Sequence, residues 1–148
     1  MKHTIVVGLQ HGDEGKGRVV DNLVSTGKFL HIVRYNGGPN AGHTIYVNGN
    51  KVVTHSIPSG IINPDTMNYI GIGCVINPVK LVQEIKELSD LGITNILSRL
   101  MIDYNCNFIL PEHIERDIAA EIISPVGSTK QGVAPCYADK YGRKGVNF

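Results

Sequence analysis

Apolar residues fall in short runs along this chain, and the runs alternate between the two periods that mark strands and helices. Ile5-Val6-Val7-Gly8-Leu9 predicts a strand over 4–9, continuous enough in apolar character for the interior of a parallel sheet. A helix over 15–24 follows, with Gly27 beyond its end as a stop. The next run, 29–33, predicts a strand over 29–35. Residues 44–47 and 51–55 flank Asn48-Gly49-Asn50 and read as a β-hairpin with a glycine turn. Core strands are expected at 68–72 and 100–103. Between them Asn77 and Pro78 supply the cap and first turn of a helix whose Val79, Val82, Ile85, Leu88 and Leu91 share a face before Gly92 ends it. A second long helix is expected over 111–122, and 124–143, rich in Gly, Pro, Ser and Lys with little periodicity, reads as a long loop. The alternation defines an α/β fold: a mostly parallel sheet with flanking helices, a small β-hairpin, and ligands at the carboxyl ends of strands. No internal repeat or low-complexity tract is present.

The turn after the first run, Gly12-Asp13-Glu14-Gly15-Lys16-Gly17, carries the chemistry. Glycines let successive N–H groups converge on one anion, the following helix adds its positive end, and Lys16 adds a mobile cation. This is a P-loop-like phosphate site that departs twice from G-x-x-x-x-G-K-[ST]: Gln10 takes the first Gly position and Gly17 the Ser/Thr position. Without that hydroxyl a magnesium ion needs another ligand, and Asp13 is placed to serve. A helix-capping role for Asp13 and an ordinary turn with solvated charges are the plainer readings of the same residues. A second glycine cluster, Arg34-Tyr35-Asn36-Gly37-Gly38-Pro39-Asn40-Ala41-Gly42-His43-Thr44, follows the second apolar run.

Three motifs taken together resemble adenylosuccinate synthetases: the segment from Gln10 to Gly17, the segment from Asn36 to Thr44, and Gly127-Ser128-Thr129-Lys130-Gln131-Gly132-Val133-Ala134-Pro135 with Tyr137, Asp139, Lys140 and Arg143. Thr54-His55-Ser56-Ile57-Pro58-Ser59-Gly60-Ile61 and Gly71-Ile72-Gly73-Cys74-Val75-Ile76-Asn77-Pro78 are similar to that family as well, so the resemblance spans essentially the whole chain. It implies a GTP-dependent, magnesium-dependent ligation of IMP to L-aspartate in purine biosynthesis, through a 6-phosphoryl-IMP intermediate. By the same resemblance Asp13 is the general base on N1 and a magnesium ligand, His43 stabilises the transferring phosphoryl group, and Lys16 completes the catalytic set. GTP is expected at Gly12, Asp13, Glu14, Gly15, Lys16, Gly17, Gly42, His43 and Thr44, with the Gly42 carbonyl as a second metal ligand. The substrate nucleotide is expected at Asp13, Asn40, Ala41, Thr129 and Arg143, the last reaching across a homodimer interface. In a solvated basic face with Lys140 and Lys144, Arg143 would carry no such role. The 124–143 stretch becomes, on this resemblance, a substrate loop that orders when nucleotide binds.

Family members are at least twice this length, so the chain resembles an N-terminal part, 1–148, without a guanine-recognition Asn-Lys-x-Asp. His11, Lys130 and Ala134 stand where the family commonly has Trp, Gly and Gly. Two alternatives stay open: a related synthetase acting on a 2-aminopurine deoxynucleotide (dGMP), in which the first-loop acid differs, and a truncated, non-catalytic nucleotide-binding module.

Composition narrows the rest. A net charge of +1 without a basic stripe argues against nucleic acid, and no apolar run approaches the roughly 18 residues of a membrane span. No secretory leader pattern opens the chain, and Cys74, Cys106 and Cys136 are odd in number and widely spaced, which suits reduced thiols in the cytoplasm. His3, His31, His55 and His113 show no metal spacing and are given no chemistry.

Overall fold

A computed structural model describes residues 3–10, 14–47 and 49–148. His11, Gly12 and Asp13 of the first glycine turn, and Asn48 of the hairpin turn, lie outside the described residues. The architecture is mixed α/β. Strands β1 (His31–Arg34), β4 (Met67–Ile70) and β6 (Leu100–Ile102) form a parallel sheet in the order β1-β4-β6. Strands β2 (His43–Val47) and β3 (Asn50–Thr54) form the expected antiparallel hairpin, with Thr44 opposite Val53. A short parallel pair, β5 (Val75–Ile76) with β7 (Asn107–Phe108), continues the chain beyond the carboxyl end of β4.

Helix α1 (Lys16–Ser25) starts at Gly15 (φ 73°), and left-handed Gly27 (φ 69°) lies beyond its end as expected. Helix α2 (Pro78–Asp90) is capped as the sequence requires: the Asn77 Oδ1 accepts the Lys80 N–H at 3.1 Å, and Pro78 occupies the first turn, where no N–H is needed. Its buried face differs from expectation. Leu81, Glu84 and Leu88 point inward, while Val79 and Val82 are 78% and 67% exposed. The reason is electrostatic: the Glu84 carboxylate accepts the N–H groups of His55, Ser56 and Ile57 at 2.7, 2.8 and 3.1 Å, and that anchorage fixes the rotation of the helix.

The core gathers Ile57, Ile61, Ile70, Ile76 and Leu88 between α2 and one face of the three-stranded sheet. The opposite face carries Val33 and Met101, 56% and 48% exposed, flanking Tyr69 in register. Short helix α3 (Ile96–Arg99) ends in buried Arg99, whose guanidinium donates to the carbonyls of Ile61, Asn63, Thr66 and Thr94. Among the described residues no helix is long and apolar enough to cross a membrane. All three cysteines are free and buried.

Two further expectations are corrected. Residues 3–8 form no strand, and Ile5, Val7 and Leu9 are 77%, 60% and 94% exposed. A strand exists only through its ladder partner, and among the described residues β1 pairs with β4 alone. The expected loop over 124–143 contains helix α5 (Val133–Tyr141), which follows the expected α4 (Pro111–Ile123). Its nine residues are too few to establish a period, and its start is set instead by left-handed Gly132 (φ 74°), whose N–H is accepted by buried Asp117 at 2.8 Å. The segment between α4 and α5 is also organised from α4: Glu121 accepts the N–H groups of Val126, Gly127 and Ser128, and Asp117 accepts the Ser128 hydroxyl at 2.6 Å.

Two stability measurements follow from these contacts. Glu84→Leu is expected to cost about 3 kcal/mol or more, because three backbone donors lose a charged acceptor; urea denaturation checks it as a lower midpoint at unchanged slope. Lys130 is left-handed (φ 55°), so Lys130→Gly is expected to stabilise by about 1 kcal/mol, read as a higher midpoint in the same titration.

Candidate functional site

The two glycine turns meet through Gly17 and His43. Gly17 lies buried in the first turn of α1, and a side chain there would put its Cβ 2.7 Å from the His43 Nδ1 and 2.9 Å from the His43 Cβ. Glycine at this position lets the amino-terminal end of α1 lie directly against the imidazole at the start of β2. Serine or threonine, usual at this place in a phosphate loop, would collide with it. The Gly17 carbonyl also lies 3.5 Å from the Ser59 hydroxyl.

Lys16 pairs with Glu14, which also accepts the Gln10 N–H at 3.0 Å. The Lys16 hydrogen bond, with the backbone donors, holds the Glu14 carboxyl down to about 2. The loop cation is therefore paired with the loop's own acid.

His43 is held by its surroundings in the neutral form. Burial first, then the charges of Arg34 and Lys16 and the neighbouring His55, push its pKa from 6.5 to about 4. At neutral pH the imidazole is therefore uncharged, able to offer one N–H and one bare ring nitrogen. Negative phosphate brought against it would raise its pKa again.

The second glycine turn is supported by Arg34, at the end of β1. Its guanidinium donates to the carbonyls of Asn36 (3.3 Å), Gly38 (2.7 Å) and His55. The His55 ring Nδ1 and the Ala41 carbonyl are 3.0 Å apart, and Gly42 is close against Val53 and His55, where an added Cβ would meet the Val53 Cγ1 at 3.0 Å. Arg34, His55 and Glu84 were given no role from sequence. Arg34 and His55 sit inside motifs quoted for the resemblance, and the signal for Glu84 was a lone acid spaced with Leu81 and Leu88 on one helical face.

Lys16, Gly17, Ala41 and His43 line one cavity of about 1040 Å³, whose walls come from residues 3–7, α1 and β1. Asn40, Gly42 and Thr44 are exposed on the turn and on β2. Thr129 and Arg143 do not line this cavity; both are exposed, Thr129 before α5 and Arg143 left-handed (φ 59°) after it. Asp13 and Gly12 lie outside the described residues. Among the described residues no group of three or more His, Cys, Asp or Glu gathers to hold a metal ion.

A glycine turn opening a helix with a lysine, packed against a second glycine turn bearing a half-buried histidine, defines an α/β domain of the phosphate-loop-like kind. Residues 5–148 match the family model described as adenylosuccinate synthetase, and the chain belongs to that family. It is 45% identical over 148 residues to "Adenylosuccinate synthetase 2" of Chromobacterium violaceum, covering 98% of this chain and 34% of that one. It is 46% identical to the adenylosuccinate synthetase of Chlorobaculum tepidum, covering 97% and 33%. Among solved structures, fully ligated adenylosuccinate synthetase from Plasmodium falciparum matches 95% of this chain and 33% of its own, with TM-score 0.83 and 34% identity. The cyanophage S-2L succinoaminodeoxyadenylate synthetase, bound to dGMP and dATP, matches 90% and 36%, with TM-score 0.69 and 28% identity. The chain spans about one third of the length of the curated relatives it matches.

The His43 environment makes a pH prediction. Its folded pKa of about 4 lies below the ordinary 6.5, so between those values the unfolded chain binds the extra proton. Stability is therefore expected to fall as pH drops from 6.5 towards 4, and His43→Asn to remove part of that slope. Urea midpoints at pH 7 and pH 5 test this; equal losses in both proteins would sink it.

Proposed function

We propose that this chain is the N-terminal, phosphate-handling part of an adenylosuccinate synthetase that joins IMP to L-aspartate at the expense of GTP. The observation that carries the reading is the packing of Gly17 on His43, because it sets a phosphate-loop helix end and a neutral imidazole donor against each other. The chemistry needs that pairing. The 6-oxo group of hypoxanthine is a lactam, a poor nucleophile and a poor leaving group, so it is activated twice. Asp13 removes the N1 proton, charge moves onto O6, and O6 attacks the γ-phosphorus of GTP. An O6–P bond forms as the bond to the β-phosphate oxygen breaks, and GDP leaves. The amine of aspartate then attacks C6, the C6–O6 bond breaks, and phosphate departs with O6 while the amine loses a proton.

Phosphoryl transfer is largely positioning and charge neutralisation. Lys16, released from Glu14, meets the β- and γ-phosphate charge, with the N–H groups of Gly12, Gly15 and Gly17 beside it. His43 donates its neutral N–H to an oxygen of the transferring group. Thr44 approaches GTP, and Asn40, Ala41 and Thr129 hold IMP. Arg143, on the exposed turn after α5, reaches the IMP phosphate of a second copy in a homodimer; a guanidinium suits bidentate phosphate recognition.

Magnesium fits a sparse protein ligand set, since it keeps waters and substrate phosphate oxygens and takes one or two protein carboxylates or carbonyls. Asp13 and the exposed Gly42 carbonyl would hold it, and it would neutralise phosphate charge. Buried free thiols agree with a cytoplasmic setting.

IMP is favoured over dGMP because Asp13 is retained and because the Plasmodium structure superposes better than the phage one. The test is absorbance-monitored adenylosuccinate formation from IMP, GTP, Mg²⁺ and aspartate, with dGMP in parallel. Asp13→Asn is expected to lose at least about 100-fold in turnover, the scale of a general base, while calorimetry still shows GTP binding. Unchanged turnover would sink the general-base assignment, and wild-type protein that binds no GTP would sink the synthetase reading.

A further inference from the structure

Two glycine turns, at Gly37 and Gly73, face each other at the carboxyl end of the sheet, and the hydroxyl of Tyr137 on α5 sits between them. The Gly37 N–H donates to the Tyr137 oxygen at 2.8 Å, and the Tyr137 O–H donates to the Gly73 carbonyl at 2.8 Å. The hydroxyl thus uses its donor and one acceptor position on backbone groups of two separate loops. Neither glycine accommodates a side chain. Gly37 is left-handed (φ 96°) with the Arg34 guanidinium 3.2 Å from any added Cβ, and a Cβ at Gly73 would collide with the Tyr35 carbonyl.

The same helix touches the second glycine turn again at its first residue. Val133 and Val75 leave no room at Gly38, where an added Cβ would come within 2.9 Å of the Val133 Cγ2. One turn beyond Tyr137, Lys140 donates to the Ile72 carbonyl at 2.6 Å. Helix α5 is in turn fixed at its start by Asp117 through Gly132, and that aspartate also accepts the hydroxyl of Ser128, next to Thr129. A continuous chain of contacts therefore runs from Ser128, next to Thr129, through Asp117, α5 and Tyr137 to the turn that bears Asn40, Ala41 and His43.

We infer that Tyr137 is a positioning residue: its hydroxyl sets the second glycine turn and couples it to the 124–132 segment, so that the two halves of the nucleotide-substrate site are placed by one helix. The inference rests on the proposed binding of IMP at Asn40 and Thr129 only for its ligand arm. Its structural arm stands without any ligand.

Tyr137→Phe keeps the ring, its packing in the cluster of Val75, Ile109 and Cys136, and its stacking on Tyr141, and removes only the hydroxyl. Amide exchange by NMR is expected to accelerate about tenfold at Gly37, Cys74 and Val75, the loss of two neutral hydrogen bonds, with β4, β6 and α2 unchanged. IMP affinity by calorimetry is expected to fall by a similar factor. Exchange that rises uniformly across the protein, or does not rise at the two glycine turns, overturns the inference. Wild-type protein that binds no IMP overturns the ligand reading and leaves the exchange pattern to decide on Tyr137.

Discussion

The arrangement depends on how one residue's backbone is gripped. The His55 carbonyl accepts from Arg34 and its N–H is accepted by Glu84 at 2.7 Å, so a cation from β1 and an anion from α2 hold the two sides of the same residue as the chain leaves β3. Neither charge spends itself on the other; each satisfies backbone that regular structure cannot. Arg34 also serves the carbonyls of Asn36 and Gly38, and Glu84 also serves the N–H groups of Ser56 and Ile57. Hairpin, glycine turn, helix and sheet are thereby held in one register. Burial raises the pKa of Glu84 and lowers that of Arg34, a cost that the charge-assisted bonds to fixed dipoles offset.

That frame explains the electrostatics of the site. Arg34, Lys16 and His55 all act on His43, and with burial they keep it neutral. A region with this much positive potential and few acids is poised for anions, and the one acid in the described loop, Glu14, is already paired with Lys16. The same surroundings that pair Lys16 with Glu14 thus set His43 against protonation.

Where a local signal decides structure, the sequence was legible. Asn77-Pro78 capped α2, Gly27 marked the end of α1, and the hairpin turned at Gly49. The phosphate-loop reading placed Lys16 and Gly17 at the helix start where they are found. Where tertiary partners decide, it was not. The Ile5 to Leu9 run has strand composition, yet composition supplies no ladder partner. Val79 and Val82 lost the buried face of α2 to Glu84 because three backbone donors outweigh two valines in fixing a helix's rotation. Helix α5 escaped notice because its start depends on Asp117 accepting the Gly132 N–H across 15 residues of sequence. Arg34 and Tyr137 stand inside the quoted motifs, yet their bonds to backbone of separate segments could not be read from spacing.

The two faces of the sheet are unequally covered. Parallel sheets occur with both faces covered, and here α2 and the core cover one face while Val33 and Met101 on the other remain half exposed. The strand-like run 3–9 is likewise exposed beside β1, whose edge away from β4 has no ladder partner among the described residues. The glycine turns keep their shape through side chains of this same segment: Arg34 on the carbonyls of Asn36 and Gly38, Glu84 on the N–H groups that follow β3, and the Tyr137 hydroxyl between Gly37 and Gly73. Charged and hydroxyl groups acting on backbone, not apolar packing against the exposed face of the sheet, therefore set the geometry of these turns.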